Sequence, residues 1–243
     1  MIEIRGLCKR YGEFVAIPDL SLRVESGEIF GFLGPNGAGK TTTIRILMGI
    51  LTPSAGQALV DGLDCQKDSV EVKRRVGYLP DTPTFYDYLR GREIVEFVAE
   101  MHGLSQGQEK VAAILGDLGL ADAANEYAVN YSLGMKKKLA LACALVHDPP
   151  VLILDEPTNG LDPRAAREIV ERLKERAARG LTVFLSTHLL EMADRVCTRV
   201  GILHQGRLIA LGPPAELRHQ LAQGGSLEQV FLDLTASQEE TAS

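Results

Sequence analysis

The sequence predicts an α/β fold built around a parallel sheet. From Val151 onward, short apolar segments typical of buried strands alternate with helical segments, and strands separated by helices imply a parallel sheet. Further upstream, a glycine-rich loop joins an apolar strand to a helical segment. The third observation is a helical periodicity from about Leu89 to Val146, which predicts a helical insertion near residues 85–145.

The first 60 residues are rich in predicted strands. Residues 2–4 and 21–24 alternate apolar and polar side chains, as half-exposed strands do. Residues 25–28 form a predicted turn, and residues 57–62 predict another strand that runs into a turn.

The middle of the chain has helical spacing instead. Apolar residues recur at i, i+3, i+4 and i+7 in two successive segments, which places each set on one helix face. The first set is Ile94, Phe97, Val98 and Met101, with Gly103 as the predicted helix end, and the second is Val111, Ile114, Leu115 and Leu118. A later helix is predicted after Pro163, between apolar strands at 151–154 and 183–186.

The glycine-rich loop Gly34–Thr42 matches the phosphate-binding pattern G-x-x-x-x-G-K-[ST]. A predicted strand at 28–33 precedes it and a predicted helix at 42–48 follows it. Glycines let backbone N–H groups surround an anion that faces the positive end of the helix dipole. Lys40 adds a mobile charge, and the Thr41 hydroxyl is suited to bind Mg²⁺. The alternative is a glycine-rich turn that fits by chance, but the strand–helix context favours nucleotide binding by a P-loop NTPase core.

Composition and charge argue against several classes of function. The formal net charge of −6 and the absence of tryptophan argue against a dedicated nucleic-acid binder. The longest apolar stretch, residues 139–146, is too short to span a bilayer, and the N-terminus lacks a signal-peptide pattern. We therefore expect another chain to recruit this one to any membrane. Four widely spaced cysteines predict reduced thiols rather than disulfides or a zinc site: Cys8, Cys65, Cys143 and Cys197.

Two carboxylates end the apolar strand at 151–154. Asp155 and Glu156 would lie at the carboxyl end of a buried parallel strand, where ligands bind in such sheets. Asp155 is suited to hold Mg²⁺, and Glu156 is suited to act as a general base toward an attacking water. The alternative is an acidic surface turn, which the phosphate-binding loop on the same chain disfavours.

His188 follows the strand at 183–186 in the same way. A single histidine is more often structural than catalytic, but the end of a core strand favours a position near the γ-phosphate. From there the imidazole could donate a hydrogen bond and help to orient Glu156 and the water.

These motifs, in this order, resemble those of the ATP-binding subunits of ATP-binding-cassette (ABC) transporters over roughly residues 2–220. Residues 132–136 match a degenerate form of the family's L-S-G-G-Q signature, and the signature begins 92 residues after Lys40 (132 − 40). The implied fold is an α/β P-loop NTPase core with a mixed or parallel sheet, an N-terminal antiparallel β subdomain and the helical insertion. The implied division is an ATP-binding domain at 1–220 and a short C-terminal tail at 221–243.

The resemblance assigns a role to each candidate site residue, with ATP and Mg²⁺ as the cofactors. Tyr11 would stack on adenine, although it also fits an ordinary surface tyrosine, and Ala16 would lie beside the ribose. The implied phosphate-binding residues are Gly34, Pro35, Asn36, Gly37, Ala38, Gly39, Lys40, Thr41 and Thr42. The implied metal ligands are Thr41, Asp81 and Asp155, and the implied catalytic residues are Glu156 and His188.

Two further segments are expected at a dimer interface. The signature segment, defined here as Ser132, Leu133, Gly134 and Met135, would bind the γ-phosphate of ATP held by a second subunit. The D-loop, defined as Asn159, Gly160, Leu161 and Asp162, would cross that interface. An N-terminal cap before an amphipathic helix also explains Ser132.

The chain departs from the family pattern at two places. Asp81 stands where glutamine is usual; it can still ligate Mg²⁺, but it is shorter and its carboxylate donates no hydrogen bond. Leu133 and Met135 replace glycine and glutamine in the signature. This form, followed by the lysine run 136–138, resembles the bacterial branch that exports drugs, antibiotics, lipids or ions. The lysine run itself is typical of a solvated helix face.

The expected function is an ATPase subunit that drives transport through separate membrane permease subunits, at the cytoplasmic face of the plasma membrane. The second ATP-binding subunit is expected to be another copy of the chain, and a sister subunit is left open. Phe85, Tyr86 and Tyr88 suit either a groove for a short permease helix or local packing. A soluble ABC ATPase that acts on DNA or ribosomes and a poorly hydrolysing regulatory module are the alternatives. The acidic charge disfavours the first, and the presence of Glu156 and His188 disfavours the second.

Overall fold

The computed structural model describes residues 1–104, 107–221, 225–232 and 234, except the side chains of 220 and 221. The strands are β1 (Ile2–Tyr11), β2 (Phe14–Val24), β3 (Ile29–Leu33), β4 (Ala55–Val60), β5 (Leu63–Asp64), β6 (Val76–Leu79), β7 (Val151–Asp155), β8 (Thr182–Thr187), β9 (Arg199–His204) and β10 (Arg207–Gly212). The helices are α1 (Lys40–Leu47), α2 (Ser69–Arg75), α3 (Gly91–Met101), α4 (Gln108–Asp117), α5 (Leu133–Leu145), α6 (Pro163–Ala177), α7 (Leu190–Val196) and α8 (Pro214–Leu221), with a 3-10 turn at Ala128–Asn130.

Within this part of the chain, two sheets form. Four strands make an antiparallel sheet in the order β2-β1-β4-β5, and six make a mixed sheet in the order β10-β9-β3-β8-β7-β6. Strand β10 pairs antiparallel with β9, and the other neighbours in the mixed sheet are parallel. The predicted α/β class, with an N-terminal antiparallel unit and a helical insertion, is confirmed.

The register of the mixed sheet aligns the carboxyl ends of its central strands. Leu33 of β3 pairs with Thr187 of β8, Asp155 of β7 pairs with Ser186 of β8, and Leu79 of β6 pairs with Leu154 of β7. The residues that follow β3, β6, β7 and β8 therefore meet at one edge of the sheet, where parallel sheets bind ligands.

The central strands are buried on both faces, because helices and the antiparallel sheet cover them. All five residues of β3 and of β7 are buried. On one face, the rings of Phe30 and Phe32 pack on Phe184, with centroids 5.6 and 5.3 Å away. Burial of such near-continuous apolar runs is typical of parallel strands and makes this edge of the sheet a rigid support.

Helix α5 packs unusually closely on β6. A Cβ atom at Gly77 would lie 2.0 Å from the carbonyl oxygen of Ala144, so a larger residue would push the helix away from the strand. The short link 146–150 connects α5 to β7, so the helix runs antiparallel to the parallel strands. Its N-terminal end is thus directed toward their carboxyl ends.

The C-terminal half holds elements that the sequence did not predict. The predicted helix after Pro163 and the strand at 183–186 are present as α6 and β8, but α7, β9, β10 and α8 follow before residue 222. Beyond the proposed domain end at 220, residues 227–232 are helical, and Leu227 and Val230 are buried against the main core. The other residues of the expected tail, 222–224, 233 and 235–243, lie outside the described residues.

Candidate functional site

The phosphate-binding loop connects β3 to α1 and is held tightly by its neighbours. A Cβ atom at Gly34 would lie 2.3 Å from the carbonyl oxygen of Leu203, so this position admits only glycine. Gly39 has a φ of +103° and lies beside Ala16, whose carbonyl oxygen would be 3.2 Å from a Cβ there. The fold thus brings Ala16 to the loop.

Lys40 contacts Glu156 as well as the loop. Its buried ammonium donates hydrogen bonds to the carbonyl oxygens of Gly34 (2.6 Å) and Pro35 (3.2 Å), and it lies 3.2 Å from Oε1 of Glu156. Thr41 is exposed in the first turn of α1. A cation at this point of the loop is suited to bind phosphate oxygens.

The two predicted carboxylates are arranged by a serine on the neighbouring strand. Asp155 is 2% exposed, and its Oδ1 accepts a hydrogen bond from the hydroxyl of Ser186. The same hydroxyl accepts the backbone N–H of Glu156 at 3.2 Å, and the Ser186 carbonyl oxygen accepts it at 3.1 Å. Ser186 was not predicted as a site residue, because the pairing of β7 with β8 cannot be read from either strand alone.

Glu156 combines backbone strain with contacts to His188 and Lys40. Its φ is +47°, a left-handed conformation that is costly for a residue with a side chain and is typical of functional sites. His188 Nδ1 lies 3.0 Å from Glu156 Oε2, so the structure brings the two predicted catalytic residues together. Among the described residues, Oε1 of Glu156 accepts no hydrogen bond; its contact with the Lys40 ammonium is an ion pair.

Lys137 corrects the prediction that the lysine run is a solvated helix face. Its side chain is 1% exposed, and its ammonium donates to the carbonyl oxygen of Glu156 at 2.6 Å. Burial lowers the pKa of Lys137, and the nearby carboxylates, Asp81 first, oppose this shift. Lys138 follows the prediction better, because it is only partly buried and pairs with Glu168 near the surface.

Asp81, at the end of β6, contacts the D-loop and α5. Its Oδ1 accepts a hydrogen bond from the side-chain amide of Asn159 at 3.2 Å and lies 3.8 Å from the ammonium of Lys137. Its role as a metal ligand remains a prediction.

The signature segment and the D-loop lie against each other. Ser132 caps α5, since its hydroxyl accepts the N–H of Met135 at 3.2 Å, while Leu133 is 45% exposed. A Cβ atom on Gly160 would lie 2.9 Å from Leu133. Asp162 caps α6 through its hydrogen bonds to the N–H groups of Arg164 and Ala165, and these bonds lower its pKa. Both segments leave side chains accessible to another molecule.

Exposed aromatic residues lie on two other surfaces. Tyr11, at the end of β1, is half-exposed, and the ammonium of Lys9 lies over one face of its ring, 5.0 Å from the centroid. Tyr86 and Tyr88 are 78% and 84% exposed. An apolar groove of about 510 Å³ is lined by Thr84, Phe85, Tyr86, Leu89, Ile94, Phe97, Val98 and Cys143.

Comparison of the sequence with protein-family models identifies the family to which the chain belongs. A family model described as ABC transporter matches residues 17–159, which is more than half of the chain. The chain belongs to the ABC transporter family. A solved ATP-binding subunit of an ABC transporter superposes on this ABC chain with a TM-score of 0.89 at 33% identity, covering 97% of this chain and 99% of that one.

Two curated relatives give a finer comparison. The chain is 38% identical over 240 residues to YbhF of Escherichia coli (strain K12), a probable multidrug ABC transporter ATP-binding protein; the match covers 96% of this chain and 41% of YbhF. It is 40% identical over 219 residues to the Nod factor export ATP-binding protein I of Cupriavidus pinatubonensis (strain JMP 134 / LMG 1197), covering 89% of this chain and 67% of that protein. The ABC chain therefore spans about two fifths of the length of the first of these relatives.

The residues of the ABC site suit Mg²⁺ together with a nucleotide. Thr41 and Asp155 would offer a hydroxyl and a carboxylate oxygen, and Mg²⁺ is usually held by one or two carboxylates plus phosphate oxygens. In the described residues, no group of three His, Cys, Asp or Glu side chains converges as a metal cage. The same part of the chain contains no helix long and apolar enough to cross a membrane.

Proposed function

We propose that this ABC chain hydrolyses ATP and that the hydrolysis drives export through separate membrane permease subunits. The observation that carries the proposal is the convergence of Lys40, Glu156 and His188 at the carboxyl edge of the sheet. Both catalytic candidates contact each other there, and Lys40 contacts Glu156. A phosphate site, a general base and a hydrogen-bond donor are the groups that phosphoryl transfer to water requires.

The contacts suggest how ATP binding prepares the base. Lys40 contacts both the loop carbonyl oxygens and Glu156. A bound polyphosphate attracts Lys40 more strongly, because it carries more negative charge. Glu156 Oε1 is then free to accept a proton from water, while His188 holds Oε2 at the other side of the carboxylate. Thr41, Asp155 and Asp81 would hold Mg²⁺, which would supply positive charge to offset the charge that develops on the phosphate oxygens.

A second ATP-binding chain, expected to be another copy, would complete each site. The exposed Leu133 and the accessible cap of α5 support the proposal that the signature segment binds the γ-phosphate held by the partner. The D-loop residues Asn159, Gly160 and Asp162 are exposed beside the signature segment, as an interface would require.

The apolar groove supports the proposal of a permease partner. Its volume of about 510 Å³ suits a short helix, and its wall is mainly aromatic and aliphatic. The exposure of Tyr86 favours docking over the alternative of purely local packing. Recruitment by a permease would place the chain at the cytoplasmic face of the plasma membrane. The export direction is supported by the signature form and by the Nod factor export relative.

A binding experiment with Glu156→Gln tests this function. The variant keeps the loop but loses the base, so it is expected to bind ATP, to stop turnover and to accumulate as an ATP-bound dimer. Tagged Glu156→Gln protein is incubated with ATP and solubilised membranes of the source organism, and the captured proteins are identified by mass spectrometry. A polytopic membrane protein is the expected result.

The groove is tested in the same experiment. Phe97→Ala should reduce the yield of the membrane partner, whereas Ile50→Ala, which removes a similarly exposed apolar side chain elsewhere, should not. Capture of ribosomes or DNA-repair proteins without a membrane protein would instead support the soluble ATPase. Wild-type turnover by Glu156→Gln would show that Glu156 is not the base.

A further inference from the structure

Lys137 reaches the site because of the way α5 packs on the sheet. Gly77 lets α5 approach β6 at Ala144, and Lys137 precedes Ala144 by seven residues. At a rise of 1.5 Å per residue, Lys137 lies about 10.5 Å farther toward the N-terminal end of α5. Since α5 runs antiparallel to the strands, this distance brings a side chain on the same helix face to the carboxyl edge of the sheet.

The peptide groups on both sides of the Glu156 α-carbon are held by different elements. Its N–H donates to the Ser186 carbonyl oxygen of β8 at 3.1 Å. Its carbonyl oxygen accepts the ammonium of Lys137 at 2.6 Å. One of these contacts therefore comes from the sheet, and the other comes from the helix that begins with the signature segment.

These contacts matter because Glu156 is strained. A φ of +47° is unfavourable for a glutamate and persists only where the surroundings hold it. The orientation of this one residue determines where its carboxylate points. The Glu156 carbonyl oxygen has two donors, the Lys137 ammonium at 2.6 Å and the Asn159 N–H at 3.2 Å. Loss of the shorter contact would weaken the hold on this main chain and let the carboxylate shift relative to His188 and Lys40.

The Lys137 ammonium lies inside the protein, between the carbonyl oxygen of Glu156 and the carboxylate of Asp81. Lys137 is 1% exposed, and desolvation disfavours its charge. Asp81, at 3.8 Å, supplies a compensating charge and also accepts the amide of Asn159. The pair therefore connects α5 both to the catalytic residue and to the D-loop.

We propose that Lys137 is a positioning residue that couples the signature segment at the start of α5 to the orientation of the Glu156 carboxylate. When a partner subunit's nucleotide contacts the signature segment, the resulting shift of α5 is transmitted through Lys137 to the Glu156 main chain. Lys137 has this role only if Glu156 acts as the base of the proposed hydrolysis.

Steady-state ATPase kinetics of the full chain test the link. Lys137→Met removes the donor at similar volume, and replacing a buried ion by an apolar group of similar volume is usually tolerated by a fold. It is expected to lower kcat on the order of 10- to 100-fold, because small misplacement of a catalytic group has effects of that size. The KM for ATP and the affinity for a fluorescent ATP analogue should stay within about twofold, since the phosphate-binding loop is untouched.

Two further variants serve as controls. Lys137→Gln retains a hydrogen-bond donor and should recover part of kcat. Lys138→Met, on the same helix, should have the kcat of the wild type.

Any other outcome would count against the coupling role of Lys137 or against the proposed function. Wild-type kcat in Lys137→Met, an equal loss in Lys137→Gln, or a rise in KM that accounts for the loss would overturn the coupling role. Failure of both Lys137→Met and Lys137→Leu to fold would show that the lysine is structural and would also overturn it. Absence of turnover in the wild type, with intact nucleotide binding, would count against the proposed function instead.

Discussion

Ser186 provides the most direct test of how the site is built. Its buried hydroxyl donates to Asp155 and accepts the N–H of Glu156, and Asp155 is nearly inaccessible to solvent. Ser186→Ala would therefore leave a buried carboxylate oxygen without this donor. We predict a loss of stability together with weaker Mg²⁺-dependent turnover, because the Asp155 carboxylate loses the donor that orients it and the Glu156 N–H loses one of its two acceptors.

The structure allows the size of the effect to be worked out. A hydrogen bond to a charged group contributes about 1.5–3 kcal/mol to the free energy of unfolding. The contact to the Glu156 N–H adds little, since the Ser186 carbonyl oxygen still accepts that group at 3.1 Å. A cost of about 2 kcal/mol corresponds to a fall in Tm of about 4–8 °C for a chain of this length.

Urea unfolding without nucleotide, combined with a double-mutant cycle, measures this directly. In an Asp155→Asn background the charge is absent, so Ser186→Ala should cost only about 1 kcal/mol. Ser21→Ala, which removes an exposed hydroxyl that accepts the Gly6 N–H, should change stability by less than about 0.5 kcal/mol. An equal cost in both Asp155 backgrounds, or a Tm unchanged by Ser186→Ala, would refute the reasoning.

Two other predictions concern nucleotide affinity and pH. Lys40→Ala should weaken ATP binding on the order of 10- to 100-fold, because charge-assisted contacts to phosphate are lost, and near-normal affinity in equilibrium dialysis would contradict the loop assignment. Burial lowers the pKa of His147 to about 4, and His102, stacked on it at a centroid distance of 3.7 Å, adds to this lowering. In the unfolded chain the His147 imidazole binds a proton near pH 6.5, whereas in the folded chain it stays neutral until the pH approaches 4. The free energy of unfolding therefore falls as the pH drops from about 6.5 toward 4. His147→Gln should flatten this fall in urea unfolding, whereas His219→Gln, at an exposed position, should leave the slope unchanged.

Local patterns were enough to predict the parts of the site that depend on neighbours in the sequence. The loop 34–42 needs glycines and a lysine at fixed spacing, and the carboxylates 155–156 follow directly on their strand. The helical faces of α3 and α4 follow from apolar spacing, because side chains three and four residues apart lie together on a helix. These features depend on contacts within a few residues or on backbone conformation, so they can be predicted from the sequence.

The C-terminal elements were harder to predict, because their stability comes from distant partners. Strand β9 has only six residues, and it is a strand because it pairs with β3, about 170 residues earlier in the chain. Short apolar runs of this kind fit a strand or a buried helix equally well until their neighbours are known.

The sequence by itself determined the family, the loop and the identity of the chemical groups at the site. Only the tertiary structure decided how they are held, because strand register sets Ser186 opposite Asp155, and close packing at Gly77 brings Lys137 to the carbonyl oxygen of Glu156. In the sequence, Lys137 has the same character as Lys136 and Lys138, and what distinguishes it is burial. Burial depends on which face of α5 meets the sheet, and that is settled by contacts between residues far apart in the chain.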